Sequence, residues 1–127
     1  MTHDEVQDWL DRYVDAWRAN QAAPILSLFT DDATYRYRPY HGPELTVVGS
    51  KAIAESWLEE PDDPDSWEAH YEPYAVDGDR AVAVGESRYP ARGDRSERVY
   101  SNAYLLRFAP DGRCAEFTEF YMLHRHD

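Results

Sequence analysis

Tyr100-Ser101-Asn102-Ala103-Tyr104-Leu105-Leu106-Arg107-Phe108, then Ala109-Pro110-Asp111-Gly112-Arg113, then Cys114-Ala115-Glu116-Phe117-Thr118-Glu119-Phe120-Tyr121, is the part of this chain that decides its architecture. It reads as two long strands joined by a tight turn. In Pro110-Asp111-Gly112, proline presets φ, aspartate bonds its own backbone, and glycine accepts a positive φ. Both arms are rich in aromatic residues, as strands are. Period-two geometry puts Asn102, Tyr104, Leu106 and Phe108 on one face of the first arm, and Phe117, Glu119 and Tyr121 on one face of the second. A face that carries bulky rings and a carboxylate suits neither a dry core nor open solvent. It suits the wall of a pocket.

The reading extends upstream. Trp67 to Val76 and Arg80 to Tyr89 form a second hairpin around Asp77-Gly78-Asp79. Between the hairpins lies a polar loop, Pro90 to Glu97, and before them an acidic loop with two prolines, Glu59 to Ser66. At the start of the chain Val6, Trp9, Leu10, Tyr13, Val14 and Trp17 recur at helical spacing, and Thr2-His3-Asp4-Glu5 has the spacing of a capping box. A short second helix spans Ala23 to Phe29, with Pro24 in its first turn, and Thr30-Asp31-Asp32 breaks it. Ala33 to Arg38 is a strand with Tyr35 and Tyr37 on one face. A loop holding His41 follows, and Ser50 caps a third helix with Ile53, Ala54, Trp57 and Leu58 on its apolar side. Helices first and antiparallel strands afterwards make an α+β domain, its helices packed on one face of a strongly curved antiparallel sheet. The bent sheet and its helices enclose a conical cavity.

Composition narrows the function. The 127 residues make one domain with one core. A net charge of −12, from 25 acids against 13 bases, argues against nucleic acid or an anionic membrane as partner. The single cysteine, Cys114, forms no internal disulfide, which fits a reducing cytoplasm. The opening residues lack the basic and apolar segments of a signal peptide, and no 18-residue apolar run is present, so a cytoplasmic location is expected. No His, Cys and carboxylate spacing matches a metal site, and no phosphate loop or nucleophile elbow occurs, so neither metal nor cofactor is expected. His3, His124 and His126 lie near the ends and are expected in solvent. His70 falls on the polar side of the alternation Glu68, His70, Glu72.

Trp9-Leu10-Asp11-Arg12-Tyr13-Val14-Asp15-Ala16-Trp17, Leu28-Phe29-Thr30-Asp31-Asp32-Ala33-Thr34-Tyr35, Gly49-Ser50-Lys51-Ala52-Ile53 and the final hairpin together resemble the nuclear transport factor 2-like superfamily, in its SnoaL-like branch of polyketide cyclases and ketosteroid isomerase relatives. The resemblance spans nearly the whole chain and implies a cystatin-like cone. It is specific for fold and weak for activity, since the fold hosts isomerases, dehydratases, cyclases, hydrolases and inert binders. It implies that Tyr13 takes the place of a helix-borne oxyanion donor and Tyr104 that of a second donor. The place of the isomerase base falls on Arg38, before Pro39, and arginine cannot abstract a proton. The same threading puts Val82, Val84, Glu86 and Arg88 on the inner face of their strand. Glu86, Arg88 and Glu119 would then echo the acid–arginine–acid set of limonene epoxide hydrolase, with Asn102 and a tyrosine helping to hold a water; a strand-end ion pair in solvent is the plain alternative.

Three functions stay open. One is a small-molecule enzyme with Glu119 or Glu86 as acid or base, and with Tyr13, Tyr104 and Asn102 as orienting donors. Another is a non-catalytic binder of a small hydrophobic or aromatic molecule, walled by Trp17, Tyr37, Trp57, Val84, Phe117 and Tyr121 with His41 near the mouth. The third is an interaction module that dimerises through the outer face of the sheet. A homodimer is expected in any case, because apolar strand residues occupy both faces.

Overall fold

The computed structural model describes residues 1–37, 46–59, 67–91, 93–94 and 96–124. Helix α1 spans His3–Ala19, α2 Ala22–Leu26 and α3 Ser50–Glu59; strands are β1 Phe29–Arg36, β2 Thr46–Val48, β3 Glu68–Asp77, β4 Arg80–Tyr89, β5 Arg98–Phe108 and β6 Cys114–Leu123. The strands form one open six-stranded sheet in the order β2-β1-β6-β5-β4-β3. The expected α+β architecture is present.

Several expectations need correction. The sheet is mixed: β1 runs parallel to β6, while β3, β4, β5 and β6 form an antiparallel meander. A parallel pair requires a long crossover, and here the rest of the chain supplies it. Thr30-Asp31-Asp32 does not break the chain into a turn. It lies inside β1, where the register against β6 shifts between Phe29 and Thr34. The second helix is correspondingly shorter than Ala23 to Phe29. Strand β2 was not foreseen, and Ser50 is the first residue of α3 rather than its cap. Gly49 precedes it at φ 95°, where L side chains are strained, and its amide donates to the Ala33 carbonyl at 2.7 Å.

Helix α1 begins as its sequence directs. The Thr2 side chain accepts from the Glu5 amide at 3.1 Å, and Glu5 accepts from the Thr2 amide at 2.9 Å. Its apolar stripe buries Val6, Trp9, Leu10, Tyr13 and Ala16 against the sheet. Trp9 is the centre of the floor, in edge contact with Phe29 and Phe108 and anchored by its Nε1–H donating to the Leu28 carbonyl at 3.0 Å. Phe117, fully buried, stacks on Tyr35 at 4.7 Å and on Tyr13 at 5.5 Å.

Strand β4 runs one residue out of phase with expectation. Ala81, Ala83, Gly85 and Ser87 face inward, and Val82, Val84, Glu86 and Arg88 face outward. A one-residue slip moves every side chain to the opposite face. The inner face takes the small residues because rings from α1, β3 and β5 already occupy it. At Gly85, paired with Tyr71, an added Cβ would run into the His70 carbonyl oxygen and stand 2.6 Å from Tyr71 Cδ1. Gly85→Ala should therefore destabilise the fold by about 2 kcal/mol or more, the usual scale of overpacking. A urea midpoint unchanged from the parent would contradict this packing.

Candidate functional site

The inner face encloses a cavity of about 560 Å³, within the usual range of ligand pockets. Seven elements line it: Tyr13 and Trp17 from α1, Tyr35 at the end of β1 with Tyr37 just after it, Ser56 and Trp57 from α3, Tyr71 from β3, Ser87 and Tyr89 from β4, Arg98, Tyr100, Asn102 and Tyr104 from β5, and Glu119 and Tyr121 from β6. Glu119 is the only acid among the described lining residues.

Its carboxylate is held by a directed chain of hydrogen bonds. Asn102 Nδ2 donates to Glu119 Oε2 at 3.0 Å, and Ser87 Oγ donates to Asn102 Oδ1 at 2.9 Å. Because the Ser87 proton is engaged there, the Tyr71 hydroxyl donates to Ser87 Oγ. Every donor in the chain points towards the carboxylate. An amide in the middle cannot pass a proton onward, so the chain orients Glu119 and leaves proton exchange to the cavity side.

Burial pushes the Glu119 carboxyl up to about 7; the bonds from Asn102 and Tyr104 hold it from going higher. Tyr13, Tyr35, Tyr71 and Tyr104 are all raised, Tyr71 to about 12, chiefly by burial. The Glu119 charge adds to the shift at all four, which places them around one carboxylate. At neutral pH the site thus presents a titrating acid amid neutral phenol donors.

Of the residues singled out from the sequence, Tyr13, Trp17, Tyr37, Trp57, Asn102, Tyr104, Glu119 and Tyr121 meet in this cavity. Phe117 lies beneath it as floor. Glu86, Arg88 and Val84 do not reach it, since β4 turns them outward. Arg88 lies 3.5 Å from Glu97 instead, so the acid–arginine–acid set is not assembled. His70 is exposed, as its alternation implied. His41 and Arg38 lie outside the described residues. Tyr35, Ser56, Tyr71, Ser87, Tyr89, Arg98 and Tyr100 were missed. The small-residue run Ala81-Ala83-Gly85-Ser87 was the signal for the β4 members. Among the described residues no group of His, Cys, Asp and Glu is arranged to hold a metal.

The SnoaL-like domain family matches residues 10–117. This chain belongs to that family. Solved structures of similar fold include an NTF-2-like protein of unknown function from Burkholderia xenovorans LB400, 16% identical, TM-score 0.70, covering 98% of this chain and 88% of the other. A protein of unknown function with a cystatin-like fold from Methylobium petroleophilum PM1 is 15% identical, TM-score 0.68, covering 100% and 82%. A candidate ketosteroid isomerase from Kribbella flavida DSM 17836 is 17% identical, TM-score 0.69, covering 98% and 83%. At these identities the likeness is one of fold. None of the curated proteins matches the chain in sequence. No described helix of this SnoaL-like protein is long and apolar enough to cross a membrane.

The raised carboxyl makes stability depend on pH in a definite direction. Its ordinary value is 4.5 and its folded value about 7. Between these the folded chain holds a proton that the unfolded chain has released, so stability falls as pH rises through the window and levels above it. The full drop is about 3 kcal/mol. Glu119→Gln should remove this component: relative to the parent, the variant gains stability between pH 5 and pH 8. Urea unfolding at both pH values checks it, and parallel pH profiles for the two proteins would contradict it.

Proposed function

We propose that this SnoaL-like protein is an enzyme of general acid–base type, of the isomerase, cyclase or dehydratase kind, acting on a small hydrophobic or aromatic molecule. The observation that carries the reading is Glu119. A carboxylate among rings, held by Asn102 and titrating near 7, matches what proton abstraction at neutral pH requires. Glu119 takes a proton from an acidic carbon and returns it elsewhere on the substrate or to the oxygen of a leaving group. The neutral phenol of Tyr13 supplies a donor for the oxygen on which charge develops, while the Tyr104 O–H serves the Glu119 carboxylate. The aromatic walls bind the substrate's body and exclude water.

Proton exchange into deuterium oxide by an enolisable aromatic ketone such as 2-tetralone, followed by NMR, tests the reading. The protein should accelerate exchange, with a rate that rises through about pH 7 as Glu119 ionises. Glu119→Gln should lose roughly 10²–10⁴-fold, the usual contribution of a general base. Equal exchange in the variant, or binding of the ketone with no exchange at all, would leave a non-catalytic binder as the better reading.

We also propose a homodimer through the outer sheet face. Val82, Val84, Ala103, Leu105, Phe120 and Met122 adjoin one another there across β4, β5 and β6, and the last three are 46%, 43% and 71% exposed. A patch of this kind on a centre of sheet fits a second copy of the same surface. Sedimentation at tens of micromolar should give a dimer, and Phe120→Glu a monomer. A monomeric parent would overturn it.

A further inference from the structure

Strand β5 grades the cavity from dry to wet. Tyr104, Asn102, Tyr100 and Arg98 face inward in turn; the first two are buried and the last two half-buried. A strand advances about 3.3 Å per residue, so the Cα atoms of Arg98 and Asn102 stand about 13 Å apart. Among the described lining residues Arg98 is the only cation, at the opposite end of this row from the Asn102–Glu119 pair. Its guanidinium carbon sits 4.9 Å from the centre of the Tyr89 ring. Stacking occupies a face of the guanidinium, while its N–H donors project from the edge in a fork that matches a carboxylate. The neighbouring acid, Glu97, lies by Arg88 on the other side of the sheet. Between Arg98 and Glu119 the walls are aromatic, with Tyr100 in edge contact with Tyr89 and Tyr121, each at 5.8 Å.

We propose that the cavity is built for a planar aromatic carboxylate, its rings between the tyrosines, its carboxylate on Arg98 and its uncharged end at Glu119. The inference rests on the ligand-pocket reading above and gives it a substrate class. The polarity fixes the orientation, since an anion at the inner end would face Glu119. The overall negative charge does not forbid an anionic ligand. Surface acids beyond about 8 Å are largely screened at physiological salt, whereas a partly buried guanidinium is screened much less. A cavity of about 560 Å³ holds two rings plus a carboxyl group as readily as one ring.

Calorimetry at pH 7.5 with 2-naphthoate and biphenyl-4-carboxylate, each beside its neutral amide, tests it. The carboxylates should bind roughly tenfold or more tighter than the amides, as a charge-assisted hydrogen bond provides. Arg98→Met should abolish that preference while leaving amide affinity unchanged, and Arg98→Lys should keep part of it. Glu119→Gln should leave the preference in place. Amides that bind as tightly as the carboxylates, or a preference that survives Arg98→Met, would overturn the assignment and leave the acid–base reading standing. Binding of none of the four compounds would overturn both it and the pocket reading. Loss of exchange chemistry with the Arg98-dependent preference intact would instead remove the acid–base reading alone.

Discussion

Ionising a carboxyl group inside an aromatic cavity is costly, and much of this fold is arranged around that cost at Glu119. An ion in low-dielectric surroundings survives only where donors meet it. Asn102 meets it with Nδ2, and the amide cannot turn its oxygen inward because Ser87 donates to that oxygen and Tyr71 holds Ser87 in turn. Four strands thus fix one rotamer. The result is neither a permanently charged nor a permanently neutral group, but one balanced near neutrality by burial against donation.

The same rings serve as core and as site. The floor of Trp9, Phe29, Phe108 and Phe117 is aromatic and fully buried, and the wall above it is largely tyrosine, a residue with an apolar body and a polar tip. Trp17 at the edge stacks on Trp67 at 3.7 Å, and Arg18 covers Trp67 in turn. No boundary separates packing from chemistry here. A substitution at Tyr13 or Tyr104 removes a ring from the core and a donor from the site together.

The sequence made the inner faces of β5 and β6 legible because polar residues mark them: Asn102 and Glu119 interrupt rows of rings at period two. Helix α1 was legible through its apolar stripe and capping box. Strand β4 misled because threading on the family resemblance set Val82 and Val84 in the interior. The interior had already been filled by larger side chains from elsewhere, and only alanine, glycine and serine fit beneath them. That is a tertiary constraint with no local mark beyond small size, and it removed Glu86 and Arg88 from the site while bringing in Ser87. The parallel pairing of β1 with β6 was equally hidden, since parallel partners far apart in sequence share no turn.

That parallel pairing has a kinetic consequence. Phe29 meets Cys114, and Tyr35 meets Phe117, so the sheet is bridged by contacts of very large sequence separation. Such closure must overcome chain entropy before any contact rewards it, which slows folding and places the joining of β1 to β6 after the local β5–β6 hairpin. Tyr35, a wall of the cavity, arrives on β1 in that same closure. The binding site therefore comes into being in the step that completes the fold, and no partly folded intermediate lacking the β1–β6 pair holds a working pocket. A ligand bound through Glu119 can select only the finished molecule, so its binding energy acts on global unfolding rather than on local fraying.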